Sequence, residues 1–275
     1  MKKNVAAPLA ACVLAASAPL AFAEDGTFSL GTGLTYTSGD YGTSTTTKIL
    51  SVPFTARYDK DRWTLKATIP YLRISGGSAV IPGLGTVPNS NPRGRGRGNA
   101  GGGGTTTTTT TDSTASGWGD LVTSVTYNAY YDQASKLGLD LTGKVKWGTA
   151  DRDKGLGTGE NDYGAQADLF KTFDRTTVFG GIGYTKLGSS DFVQLNSHVW
   201  NATAGFTYKL NDRDSAGLAY DVREKASATS SELSEITAFW SRKLDRNWKL
   251  QAFALKGLAN GSPDWGAGIS AAYAF

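Results

Sequence analysis

The 275-residue chain is poor in the residues that carry most protein chemistry: it has one Cys, one Met and one His. Cys12 and Met1 both sit at the start, so a chain trimmed of its first residues has no disulfide, no thiolate metal site and no Cys nucleophile. Past that opening there is no apolar run long enough for a transmembrane helix. A membrane protein is still open to this sequence, because a closed β-barrel is the other way to satisfy every backbone group in lipid.

The opening itself reads as an export signal. Lys2 and Lys3 precede an apolar stretch from Val5 to Phe22 that ends Ala21-Phe22-Ala23 before Glu24-Asp25, the pattern of a secretory signal peptide cut after Ala23. Leu9-Ala10-Ala11-Cys12 also fits the approach to a lipidated Cys, but Cys12 lies close to the start and cuts the apolar stretch in two. Cleavage after Ala23 removes two of the 28 basic and none of the 24 acidic residues, leaving a formal charge of +2. That balance argues against a nucleic-acid partner.

What the chain does have is glycine, aromatics and period-2 alternation. Twelve candidate strands fall at about 27–37, 47–58, 62–73, 117–131, 136–148, 161–172, 176–187, 198–210, 214–224, 232–243, 247–257 and 264–275. Tight polar turns at 59–61, 132–135, 174–175, 211–213 and 245–246 alternate with longer loops. Strict alternation of short and long connections predicts a transmembrane, antiparallel, up-and-down barrel of about twelve strands, residues 24–275, with both termini on the short-turn, periplasmic side of a bacterial outer membrane. A β-sandwich also alternates, but its strands are usually shorter and seldom end in aromatic belts.

Parity assigns the two faces. Leu50, Val52, Phe54, Ala56 and Tyr58 point outward on the second strand, and Trp63, Leu65, Ala67, Ile69 and Tyr71 on the third. The opposite parity predicts a charged lumen lined by Arg57, Lys66, Lys144, Lys146, Lys209, Arg223 and Lys249, with Asp120, Asp140, Asp168, Asp221 and Glu235. Twelve strands about 4.8 Å apart and tilted about 40° close at a backbone radius of about 12 Å. That leaves a narrow passage, and its basic bias fits small anionic or polar aromatic solutes. The same charges would equally serve to pair and plug the barrel.

Residues 74–116 break the pattern. Arg93-Gly94-Arg95-Gly96-Arg97-Gly98, Gly101 to Gly104 and Thr105 to Thr111 cannot bury apolar area, which predicts a disordered extracellular loop. His198 shares parity with Trp200 and is expected at an outer rim, without the catalytic partner that a lipid-modifying enzyme would need. Gly155-Leu156-Gly157-Thr158-Gly159 lacks the Lys-Ser/Thr and the following helix of a phosphate loop. Asp151, Asp153, Glu160 and Asp162 around it do not have the spacing of a calcium hand. No catalytic residue, metal or cofactor is expected.

Two resemblances add to this reading. The final segment, Trp265 to Phe275 with Tyr273 and Phe275 on its apolar face, resembles the closing strand of bacterial outer-membrane barrels. In those proteins a terminal Phe after alternate apolar residues is the signal read by the barrel assembly machinery. Gly117-Trp118-Gly119-Asp120-Leu121, Lys146-Trp147-Gly148-Thr149, Asp153 to Tyr163, Val52-Pro53-Phe54 and Ile69-Pro70-Tyr71 resemble the barrel family named for the meta-pathway of phenol degradation. That resemblance implies an outer-membrane transport protein. The expected function is therefore a channel for passive uptake of small solutes, with outer-membrane lipid, the assembly machinery and those solutes as partners. A non-conducting structural or adhesive barrel is the alternative.

Overall fold

The computed structural model describes residues 26–77, 80–87, 113–189 and 193–275. The expected signal peptide at 1–23 and the Arg-Gly and Thr tracts of the 74–116 loop lie outside the described residues. The first strands are β1 (Thr27–Gly39), β2 (Thr47–Lys60) and β3 (Trp63–Gly76). A short hairpin follows, β4 (Val80–Ile81) and β5 (Gly85–Thr86). Then come β6 (Ser113–Trp118), β7 (Leu121–Asp132), β8 (Leu137–Trp147), β9 (Asp162–Phe173) and β10 (Thr176–Lys186). The chain ends with β11 (His198–Lys209), β12 (Asp214–Arg223), β13 (Leu233–Lys243), β14 (Trp248–Gly257) and β15 (Trp265–Ala274).

Each long strand pairs antiparallel with its sequence neighbours, and β1 pairs with β15 from Ser29↔Ala274 to Ser38↔Trp265. β6 and β7 both pair with β3 and form one stave, so twelve staves close into a barrel. Closure leaves no sheet edge, which is the condition for spanning lipid with strands.

The one interrupted stave has a local cause. Pro70 on β3 has no N–H to give its neighbour, and it lies opposite Pro53 on β2. The chain across from it breaks at Gly119-Asp120, where Gly119 N donates to Pro70 O at 2.8 Å. The register slips by one between Tyr71↔Trp118 and Thr68↔Val122. A second irregularity lies between Asn128 and Tyr130 on β7.

The faces follow parity. Leu169, Ile182 and Ile269 are 51%, 51% and 55% exposed, and their outward neighbours are equally bare aliphatic and aromatic side chains. An apolar wall on this scale needs lipid to cover it. Aromatic pairs ring it at two levels: Tyr36–Trp265, Tyr71–Trp118 and Tyr184–Trp200 near the long loops, and Trp63–Tyr127, Trp248–Tyr273 and Phe28–Phe275 near the short turns. Thr27 and Phe275 both lie at the short-turn end, where Phe275 N donates to Phe28 O at 2.9 Å.

The expected disordered loop is ordered at both of its described ends. β3 runs on to Gly76, β6 begins at Ser113, and residues 80–87 fold back as β4 and β5 with Val80, Ile81, Leu84 and Val87 buried. Those four side chains supply the apolar area that the Gly and Thr tracts lack.

Candidate functional site

Inside the barrel the short-turn half is polar and charged. Arg57 reaches along its own strand to Asp59 through Nε and Nη2, at 2.6 and 2.7 Å, and Thr64 Oγ1 donates to the same carboxylate. Lys66 is the register partner of Arg57 on the same face. On another part of the wall Asp140 and Asp168 are register partners. They accept from Asn128 Nδ2 and Gln166 Nε2, both at 2.7 Å, rather than from a cation. Lys66, Lys144 and Lys249 make no ion pair among the described residues. Unpaired cations and amide-held acids therefore coexist in one lumen, an arrangement that sets up a field across the passage instead of cancelling it.

Lys146 behaves differently from its neighbour on the same face. Its Nζ lies 2.9 Å from Asp162 and 3.5 Å from Asp120, and it donates to Thr158 Oγ1 at 3.1 Å. Asp120 also accepts from Ala150 N at 2.9 Å, and Asp162 from Gly188 N at 2.9 Å. This network ties the Gly155–Gly159 loop down onto the barrel. Leu156 then packs with Leu72, Ile74 and Ala150 inside the long-loop mouth.

A second apolar cluster fills the rest of that mouth: Ile81, Leu84 and Val87 of the hairpin meet Val199, Leu187, Val193 and Ala226. Beneath it lie Asp221, Arg223 and Glu235, which are 7%, 3% and 4% exposed. Asp221 and Glu235 are register partners on β12 and β13, and Arg223 is one inward position further along. Tyr41, in the loop between β1 and β2, is buried under the same roof, and that burial pushes its phenol up to about 12.

The twelve lining residues expected from parity do not all share these surroundings. Lys209 sits instead at the short-turn rim, where its half-exposed Nζ meets Asp212 in the following turn at 2.7 Å. That contact holds the Asp212 carboxyl below its ordinary range. Sequence reading missed Asp162 as the main partner of Lys146, and it missed the apolar mouth. Leu72, Ile74 and Val199 carried a signal for the mouth, because they are apolar at inward parity. His198 stacks on Tyr184 at 5.2 Å and bonds Ser197 Oγ through Nδ1 at 3.0 Å, on the outward, exposed side. A surface depression lined by Trp63, Leu141, Ile182 and Trp200 also belongs to the outer wall.

No family model matches the chain, and no curated protein matches it. Among solved structures it is similar to an outer membrane channel from Pseudomonas putida F1, with 16% identity, 91% of this chain and 96% of that one covered, and a TM-score of 0.63. Weaker likenesses are to the KdgM porin in complex with oligogalacturonate, at 9% identity, 89% and 99% coverage and a TM-score of 0.48. The CymD monoaromatic hydrocarbon channel follows at 9% identity, 90% and 87% coverage and 0.44. The first of these shows the fold: the chain is a twelve-stave antiparallel barrel. With its bare apolar wall between two aromatic girdles, its place is the bacterial outer membrane.

Proposed function

We propose that the protein is a channel for passive passage of small solutes, with its long loops outside the cell and both termini in the periplasm. The observation that carries this reading is the set of inward lysines, Lys66, Lys144 and Lys249, which among the described residues have no acidic partner, while Asp140 and Asp168 are held by amides. A barrel whose charges served only to fill it would pair them, since an isolated charge in a dry interior is costly. The bias fits small anionic or polar aromatic solutes, in keeping with the resemblance to the phenol meta-pathway family. No enzymatic role is read here, because His198 faces outward in an aromatic girdle. Tyr273 and Phe275 are read as the segment recognised by the assembly machinery.

Single-channel recording in planar bilayers tests the proposal. Purified protein should give unitary conductance, and Lys144→Glu should shift the reversal potential toward cations in a salt gradient while leaving the barrel folded. An open channel whose selectivity ignores Lys144 would refute the assigned lining. A specific observation favours the second reading, a non-conducting structural barrel: the long-loop mouth is filled by two apolar clusters. Silence at every voltage, in the native chain and in variants with the mouth loosened, would establish it.

A further inference from the structure

We infer that Arg223 sets the size limit of the passage by holding the 80–87 hairpin across the mouth, an inference that rests on the channel reading. Arg223 points inward from the long-loop end of β12 and is buried. Its Nη1 donates to Gly83 O at 2.5 Å and its Nη2 to Leu84 O at 3.1 Å. Those are the hydrogen bonds its guanidinium makes among the described residues, and both go to the hairpin turn. A guanidinium fork matches two adjacent carbonyls in a way that a lysine ammonium does not.

The hairpin spans the opening. At one side its turn sits on Arg223, and Ile81, Leu84 and Val87 pack on Val199, Leu187 and Ala226. At the other side Thr86 Oγ1 donates to Tyr41 O at 2.7 Å, in the loop that follows β1. β12 and β1 are four staves apart in the closed order. Gly83 and Gly85 make the turn at φ of 78° and 80°, a region that favours glycine. A Cβ on Gly85 would lie 3.0 Å from Gly261 O, so the hairpin is seated closely against the 258–263 loop as well.

The wall has a reason of its own to keep a cation there. Asp221 and Glu235 are buried register partners, and Arg223 stands beside both. Its charge offsets the Glu235 carboxylate, and the two hydrogen bonds its guanidinium makes among the described residues go to the hairpin, with Nε left unbonded. The positioning role can therefore be separated from the charge role. Arg223→Lys keeps the charge and loses the fork, whereas Ile81→Ser with Leu84→Ser loosens the hairpin and leaves the wall untouched.

The experiment is single-channel recording combined with liposome swelling in neutral sugars of graded size. Wild type should dwell in a low-conductance state and exclude all but the smallest sugars. Arg223→Lys and the Ile81/Leu84 serine variant should both move the closed-to-open ratio by about a hundredfold, about 2.8 kcal/mol at 1.4 kcal/mol per factor of ten. Both should admit larger sugars, a readout that general destabilisation does not predict. Arg223→Lys with unchanged dwell times and an unchanged sugar limit would overturn the role of the fork. An unchanged limit in the serine variant would overturn the hairpin as the constriction, whether or not Arg223→Lys folds. If wild type and both variants are silent, the channel reading falls first and the inference with it.

Discussion

Lys146 offers a measurable test of how the mouth is held to the barrel. Its side chain is 16% exposed, against 11% for Asp120 and 8% for Asp162, so the group lies mostly out of water. Replacing it by Met keeps the volume and removes the cation, leaving two buried carboxylates beside each other. Removing one partner from a buried ion pair commonly costs about 3 to 5 kcal/mol. Here Asp120 keeps its bond from Ala150 N and Asp162 keeps its bond from Gly188 N, which hold the loss near the lower end. The expected cost of Lys146→Met is thus about 3 kcal/mol. Adding Asp120→Asn and Asp162→Asn should recover most of it, because neutral amides no longer repel each other.

Unfolding by urea in lipid vesicles, followed by Trp fluorescence, gives the global figure. Amide exchange at Leu156 shows whether the Gly155–Gly159 loop opens first, as expected when Lys146 no longer bonds Thr158. A Lys146→Met barrel within about 0.5 kcal/mol of wild type, the range of an ordinary surface change, would refute the argument. The ion network would then be an incidental surface contact.

Three further outcomes are expected. Deleting residues 93–111 should leave the heat-modifiable compact band on a gel, because Gly and Thr tracts add ordering cost and little burial; loss of that band would mean that the segment folds into the barrel. Phe275→Ser should lower the outer-membrane level of the protein far more than Ser270→Ala, since Phe275 stacks on Phe28 and meets Tyr273 edge-on at the closing seam, and equal levels by immunoblot would remove the assembly role. Tyr41 should ionise late, at about 12 against the usual 10, because burial disfavours the phenolate. The stability this gives is fully present below the unfolded value and is lost as pH rises through the folded one, so packing of the mouth should weaken in that window. Tyr41→Phe should delete the late step from the 295 nm titration.

The wall of the barrel was legible in the sequence almost residue by residue. Its contacts join strands that are neighbours in the chain, so parity within one strand and the turn residues between two are enough to place a side chain inside or outside. Leu141 outward with Lys144 inward, or Tyr208 outward with Thr207 inward, needs no knowledge of any other strand. The break at Gly119-Asp120 was less visible, because it arises from Pro70 on the stave beside it. Lys209 was misplaced for a related reason: at the last residue of a strand, a long side chain follows its nearest charge, Asp212, rather than the parity of the strand.

The mouth was not legible, because its contacts are distant in the chain. Arg223 and Gly83 are 140 positions apart. Parity led to the expectation of Arg223 in the lumen but said nothing about what it holds. Gly83 was read as part of a disordered loop because the Arg-Gly and Thr tracts dominate the composition of residues 74–116. Taken alone, Val80-Ile81-Pro82-Gly83-Leu84-Gly85-Thr86-Val87 carries apolar residues on both sides of a Pro-Gly turn, which is a hairpin signal. It is too short to be stable by itself. It folds because the inward ends of β10 to β12 offer Leu187, Val199 and Arg223. Those residues in turn avoid exposing apolar area and an unpaired guanidinium inside the barrel only when the hairpin is in place. Each half therefore supplies the reason for the other, and the contact that joins them, two carbonyls on one guanidinium, is also the one on which the proposed size limit rests.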